Sequence, residues 1–147
     1  MAELDRKVSQ LRVLISNAVQ SPAIRNLAGR VIGNKINDTD QAVAIYDYVR
    51  SNIRYVREPK GQDIFQSAET TLALGAGDCE DEFVLVGALA RLAGIPVKAK
   101  VISQDSITFT HIYPLLKVNG KWVPMDTTLG GILGREPQYL TGRIYSI

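Results

Sequence analysis

The hydrophobic pattern of this chain changes period once, and the change falls at Gly94-Ile95-Pro96. Upstream, apolar residues recur at helical spacing. Downstream they alternate, in "VKAKVIS", "ITFTHIYPLLKV" and "KWVPMDTT". A chain that spends its helical segments first and its strands afterwards cannot interleave them into βαβ units, so the pattern selects an α+β fold in which helices pack on an antiparallel sheet. Asn119-Gly120 between two apolar runs is the strongest short-range signal for a two-residue hairpin, which makes the last two of those runs neighbours.

The helical part divides at its punctuation. Leu4, Val8, Leu11, Ile15 and Val19 line one face of a helix over residues 3–20 that ends at Ser21-Pro22. There Ser21 can cap, and Pro22 can open, a second helix with Ile24, Leu27, Ala28, Val31 and Ile32 inward and Gly33 at its end. A third begins at "NDTDQ", where Asp38 and Gln41 have capping-box spacing, and turns Val43, Ile45, Tyr46, Val49 and Ile53 to the core. Pro59, Gly61, Gly75 and Gly77 then break the periodicity, leaving room for one short helix over residues 67–74. A central helix starts at Cys79, with Phe83, Val86, Leu89 and Ala90 on its apolar face, and Gly94 and Pro96 stop it. The tail after Thr128 is too short and glycine-rich for a domain of its own, so residues 1–147 read as one domain.

Charge and cysteine usage narrow the function. A net charge of +2 with Lys and Arg scattered along the chain offers no nucleic-acid footprint. The longest apolar run, Phe83 to Ala90, is too short to span a bilayer, and the charged N-terminal segment lacks the apolar stretch of an export signal. The lone cysteine cannot form an internal disulfide and suits a reducing, cytoplasmic compartment.

Cys79, the only cysteine, lies in the first turn of the central helix, where unpaired N–H groups and the helix dipole favour a thiolate. Its neighbours Asp78, Glu80, Asp81 and Glu82 oppose that, and must turn away from the sulfur if it is to react. His111 is the only histidine. A turn at Asn119-Gly120 pairs Val118 with Lys121 and, counted back, Tyr113 with Asp126, so His111 and Asp126 become diagonal neighbours about 7–8 Å apart at Cα. Pro114 and Pro124, which cannot donate to a ladder, are the places where that register could slip. Each residue alone reads as structural. Together, a thiol at a helix start, an imidazole to take its proton and a carboxylate to hold the imidazole are the parts of a nucleophilic triad.

Three blocks in order, "GAGDCEDEFVLVGALARLAGIPVKAKV", "HIYPLLKVNGKW" and "VPMDTT", resemble the cysteine, histidine and aspartate motifs of the transglutaminase-like superfamily. The upstream "AIYDYVRSNIRYV" and "SAETTLALGAGD" resemble the segments leading to its cysteine helix, so the likeness covers Asp40 to Thr128. It implies a papain-like core over residues 38–130 behind a helical extension, 1–37. It also implies Cys79 as nucleophile, His111 as general base and then acid, and Asp126 as the residue orienting His111. Where the family often has Asp-Pro-Thr, this chain has Asp126-Thr127-Thr128.

The chemistry common to active members is acyl transfer through a thioester, and with water as the default acceptor the resemblance implies a cysteine peptidase or amidase acting on an amide of a protein or peptide. A crosslinking transglutaminase differs only in acceptor. A catalytically silent assembly module, phage-encoded and virion-associated for instance, could dock through its first helix. An oxyanion donor must come from the Cys79 N–H and the preceding loops, with Gln66 the first candidate and Gln62 and Tyr55 the others. The reaction requires no cofactor. "GDCED" also resembles calcium-binding relatives, which makes Asp78, Glu80 and Asp81 candidate oxygen ligands. One Cys and one His are too few soft ligands for zinc.

Overall fold

The computed structural model describes residues 2–57, 65–128 and 133–147. The helices are α1 (Ala2–Ala18), α2 (Pro22–Ile32), α3 (Asp38–Asn52), α4 (Ala68–Leu74) and α5 (Cys79–Leu92). The strands are β1 (Arg54–Tyr55), β2 (Ala76–Gly77), β3 (Val97–Ser103), β4 (His111–Val118), β5 (Lys121–Pro124) and β6 (Thr141–Ser146). The architecture is α+β, with the period change at Pro96 marking the passage from helices to sheet.

Local chemistry sets most helix ends. Pro22 opens α2, but Ser21 does not cap it with its side chain; the Ser21 hydroxyl is buried without a hydrogen-bond partner, and its backbone carbonyl accepts from the Arg25 N–H instead. At α3 the cap is Asn37, not the predicted Asp38. Asn37 is extended and its Oδ1 takes the Asp40 N–H at 2.8 Å. Asp38 accepts the Asn119 N–H at 2.9 Å, which ties the start of α3 to the hairpin turn.

α5 is the axis of the molecule. Phe83, Val84, Leu85, Val86, Ala88, Leu89 and Ala90 are all buried, because α1–α4 cover one side of the helix and the sheet covers the other. Each large apolar side chain so enclosed contributes about 1.5–3 kcal/mol, so the helix that carries Cys79 is firmly held.

The sheet is antiparallel in the order β5-β4-β3-β6. Val118 pairs with Lys121, Lys117 with Trp122 and Leu115 with Pro124, the register counted from the Asn119-Gly120 turn. Asn119 and Gly120 have φ of 52° and 78°, the left-handed pair that matches strand twist in a two-residue turn. The prolines do not shift this register. Lys117 N–H bonds Pro96 and Met125 N–H bonds the Pro114 carbonyl, so odd residues of β4 face β3 and even ones face β5. Pro114 therefore costs one bond on the β5 side and none on the β3 side. β6, from the tail too short for a domain of its own, pairs with β3 from Lys98↔Ser146 to Ser103↔Thr141 and closes the sheet.

One face of the sheet, with Val97, Ala99, Val101, Ile112, Leu116 and Val118, joins the main core. On the other face Ile102, Tyr113 and Leu115 form a second buried cluster. Tyr113 donates to Glu136 at 2.6 Å and Lys100 bonds both Glu136 (2.7 Å) and Tyr139 (2.6 Å), so the chain before β6 is pinned across this outer face.

Candidate active site

α5 starts with a reciprocal cap. Asp78 is extended and its Oδ1 accepts the Asp81 N–H at 3.0 Å, while Asp81 Oδ2 accepts the Asp78 N–H at 3.0 Å. The other oxygen of Asp81 takes the Gln66 N–H at 2.9 Å. Glu80 pairs with Lys7 of α1 at 3.1 Å, and Glu82 accepts the Thr127 hydroxyl at 2.5 Å. Each acid around Cys79 is thus held by a hydrogen bond or an ion pair.

His111 opens β4 and Asp126 follows β5, and the hairpin brings them together: His111 Nε2 and Asp126 Oδ2 are 2.7 Å apart. Asp126 is fully enclosed. Its Oδ1 accepts the Thr128 N–H at 3.0 Å and the Thr128 hydroxyl at 2.6 Å. Burial alone would raise the Asp126 carboxyl, but the bond and charge of His111, with the Thr128 bonds, hold it below the ordinary value. Tyr113, one strand step along, packs its ring 5.6 Å from that of His111.

The sulfur of Cys79 meets β4 at the residue after His111. β5 stops at Pro124, so the Ile112 N–H, which faces the β5 side, has no strand partner there, and it donates to Cys79. Ile112 directly follows His111. Nε2 of His111 is engaged with Asp126, which leaves Nδ1 as its other ring nitrogen. The Cys79 thiol is pushed up to about 12, first by burial and then by the charges of Glu80 and Asp78, with the Ile112 N–H and Lys7 acting against the rise. With the thiol raised this far, Cys79 is protonated at neutral pH.

Of the oxyanion candidates, Gln66 is committed elsewhere. Its Nε2 donates to Thr71 and to the Ala76 carbonyl, both at 3.2 Å, because the loop before α4 has to be tied to the approach to α5. Gln62 lies outside the described residues. Tyr55 is placed differently: the parallel pair Tyr55↔Gly77 sets it beside the residues leading to Cys79. Burial and the nearby Cys79 and Asp78 charges raise its hydroxyl. At 42% exposure it borders both solvent and the sulfur's surroundings.

The proposed calcium ligands do not converge. Asp78 and Asp81 cap one another and Glu80 is drawn to Lys7, and among the described residues no group of three His, Cys, Asp or Glu side chains is arranged to hold a metal. As arranged here, the three side chains bond to separate partners and not to a shared centre.

Sequence reasoning had not placed Lys7, from the helix read as an extension, near the sulfur; nor had it linked Glu82 to Thr127. The only signal for Lys7 was its place one residue from the apolar stripe of α1.

A Cys-bearing helix start set against a hairpin that carries a hydrogen-bonded His and Asp defines a papain-like core. The family model of the Transglutaminase-like superfamily matches residues 25–127, and the chain belongs to that superfamily. The match begins inside α2. No curated protein matches the sequence. Among solved structures the chain is similar to a candidate protease from Parabacteroides distasonis (TM-score 0.66, 16% identity, 78% of this chain and 25% of that one). It is also similar to a candidate cysteine protease from Cytophaga hutchinsonii (TM-score 0.63, 21% identity, 94% and 52%). A third is a TGase (TM-score 0.57, 13% identity, 87% and 35%). At such identities the likeness is one of fold. The chain spans between a quarter and about half of the length of these structures. Among the described residues no helix is long and apolar enough to cross a membrane.

Proposed function

We propose that the protein is a cysteine acyl hydrolase, a peptidase or amidase, that uses Cys79, His111 and Asp126. The observation that carries this reading is the 2.7 Å His111–Asp126 bond formed beside the backbone N–H that meets the Cys79 sulfur.

The thiol is protonated at rest, so His111 acts as a general base as substrate arrives. Sulfur attacks the amide carbonyl carbon, a C–S bond forms, and the thiol proton passes to Nδ1 of His111. Asp126 on Nε2 holds the ring and stabilises the imidazolium. The negative oxygen that develops is met by the Cys79 N–H, a first-turn donor with no intrahelical acceptor, and by the Tyr55 hydroxyl. Nδ1–H then protonates the leaving nitrogen and the C–N bond breaks. Water attacks the thioester and gives its proton to His111, which returns it to the departing sulfur. His111 handles every proton, so the cycle uses no cofactor.

The test is alkylation of Cys79 by iodoacetamide at neutral pH, followed by intact mass. His111→Ala should slow labelling about tenfold or more. Equal rates in the two proteins would remove the base and the reading with it. The TGase among the structural neighbours brings in an amine acceptor as the second outcome. The mass of the product formed with and without added amine separates hydrolysis from transfer.

A further inference from the structure

Glu82 is the most deeply buried of the carboxyls beside Cys79 that the reaction above does not use. It is 2% exposed, and Oε2 has no hydrogen-bond partner. The charges that act on it most are acids: Asp126 from the turn after β5, and Asp78 and Asp81 from its own helix. Burying a carboxyl in such company is costly, and a core site of this shape would hold an apolar residue at less expense. Among the described residues its side chain accepts one hydrogen bond, from the Thr127 hydroxyl.

We infer that Glu82 is a positioning residue, which holds the Asp126–Thr128 turn through Thr127 and so sets the place from which Asp126 orients His111. This rests on the reading of Cys79, His111 and Asp126 as a triad. Glu82 stands three residues after Cys79, hence on the same side of α5. One rigid helix therefore carries both the nucleophile and the anchor of the turn that aligns its base. The Asp126 carboxylate is held within the turn by Thr128 and across to β4 by His111, whereas Thr127 ties the same turn back to α5. The distance between helix and hairpin at the site is then fixed by a hydrogen bond as well as by apolar packing. Oε1 accepts in either charge state of the carboxyl, and a glutamine amide oxygen can do the same.

His111 is the only histidine, so in isotope-labelled protein its imidazole nitrogen signals need no assignment. Those signals and the rate of Cys79 alkylation by iodoacetamide are compared in Glu82→Leu, Glu82→Gln, Thr127→Val and Thr127→Ser, with melting curves to establish that each is folded. Glu82→Leu and Thr127→Val should shift the Nε2 signal and slow alkylation about tenfold, the scale of a small displacement of a catalytic group. Glu82→Gln and Thr127→Ser, which keep the bond, should restore both. Folded Leu and Val variants with wild-type imidazole signals would overturn the inference, as would a glutamine variant no better than the leucine one. Should Glu82→Leu fail to fold, Thr127→Val, nearly isosteric, decides. His111→Ala with unchanged alkylation would defeat the hydrolase reading instead, and the imidazole signals would still report whether Glu82 acts on His111.

Discussion

Replacing Glu82 with glutamine isolates one buried proton and gives it a measurable weight. In the fold the Glu82 carboxyl is pushed from its ordinary 4.5 to about 7, first by burial and then by the charges of Asp126, Asp78 and Asp81, against the opposing bond from Thr127. The folded chain therefore binds this proton more tightly than the unfolded chain does. Below the unfolded value both states are protonated and nothing is lost. Through the window from 4.5 to about 7 the unfolded carboxyl ionises first, so stability falls as pH rises, and the full loss is reached above about 7. At about 1.36 kcal/mol for each pH unit between the two values, the loss is about 3 kcal/mol. Glutamine cannot ionise, so the stability of the variant relative to wild type should rise by about 3 kcal/mol between about pH 4 and about pH 9. The glutamine NH2, lying where Oε2 has no partner, adds an offset that is the same at every pH and drops out of the comparison. Urea unfolding of both proteins across the range measures the difference. With a slope of about 2 kcal/mol per molar, the gap between midpoints should move by about 1.5 M. Stability curves that run parallel from acid to alkaline pH would refute the reasoning, since they would mean that Glu82 titrates alike in both states.

Three further outcomes are expected. Tyr55→Phe should lower the acylation rate about a hundredfold with little change in melting temperature, as loss of one oxyanion donor does, whereas Gln66→Ala should cost about 1 kcal/mol of stability and spare acylation; the reverse pattern would return the oxyanion role to Gln66. Gly87→Ala would place a Cβ 2.7 Å from Ile15 Cδ1, and should destabilise the α1–α5 contact by about 1–3 kcal/mol; a second change, Ile15→Val, should recover part of it in denaturant titrations. Calcium added to chelated protein should leave the melting temperature where it was, because Asp78, Glu80 and Asp81 already have separate partners, and a saturable rise would show that they can rearrange around a cation.

The hairpin shows how far spacing alone can reach. Asn119-Gly120 demands a two-residue left-handed turn, such a turn permits one register, and that register puts His111 and Asp126 on one face. Pro114 and Pro124, the apparent threats to it, are harmless because Pro114 lacks its N–H on the side where β5 is about to end and Pro124 closes an edge strand. Helix caps were less legible. Asn37 and Asp38 are both good caps, and only the distance to the Asn119 N–H, 81 residues away, assigns Asp38 to the turn and the cap to Asn37. β6 was hidden because its residues are largely exposed and it pairs with a strand about forty residues earlier, a partner no local pattern announces.

What the sequence determined by itself is therefore everything that rests on near neighbours: the helical first half, the change to strands at Pro96, the central helix starting at Cys79, and the hairpin that joins His111 to Asp126. Periodicity, a proline and a two-residue turn act over a few residues, and they leave a mark in the order of the side chains. Only the tertiary structure decided which of four acids beside Cys79 pairs with which partner, that Gln66 is spent on Thr71 and Ala76 while Tyr55 pairs with Gly77 beside the approach to Cys79, and that the sulfur meets the Ile112 N–H at the end of β5. Those are meetings of groups distant in the chain. Burial then sets their protonation, lifting the Cys79 thiol and the Glu82 carboxyl while His111 holds Asp126 ionised.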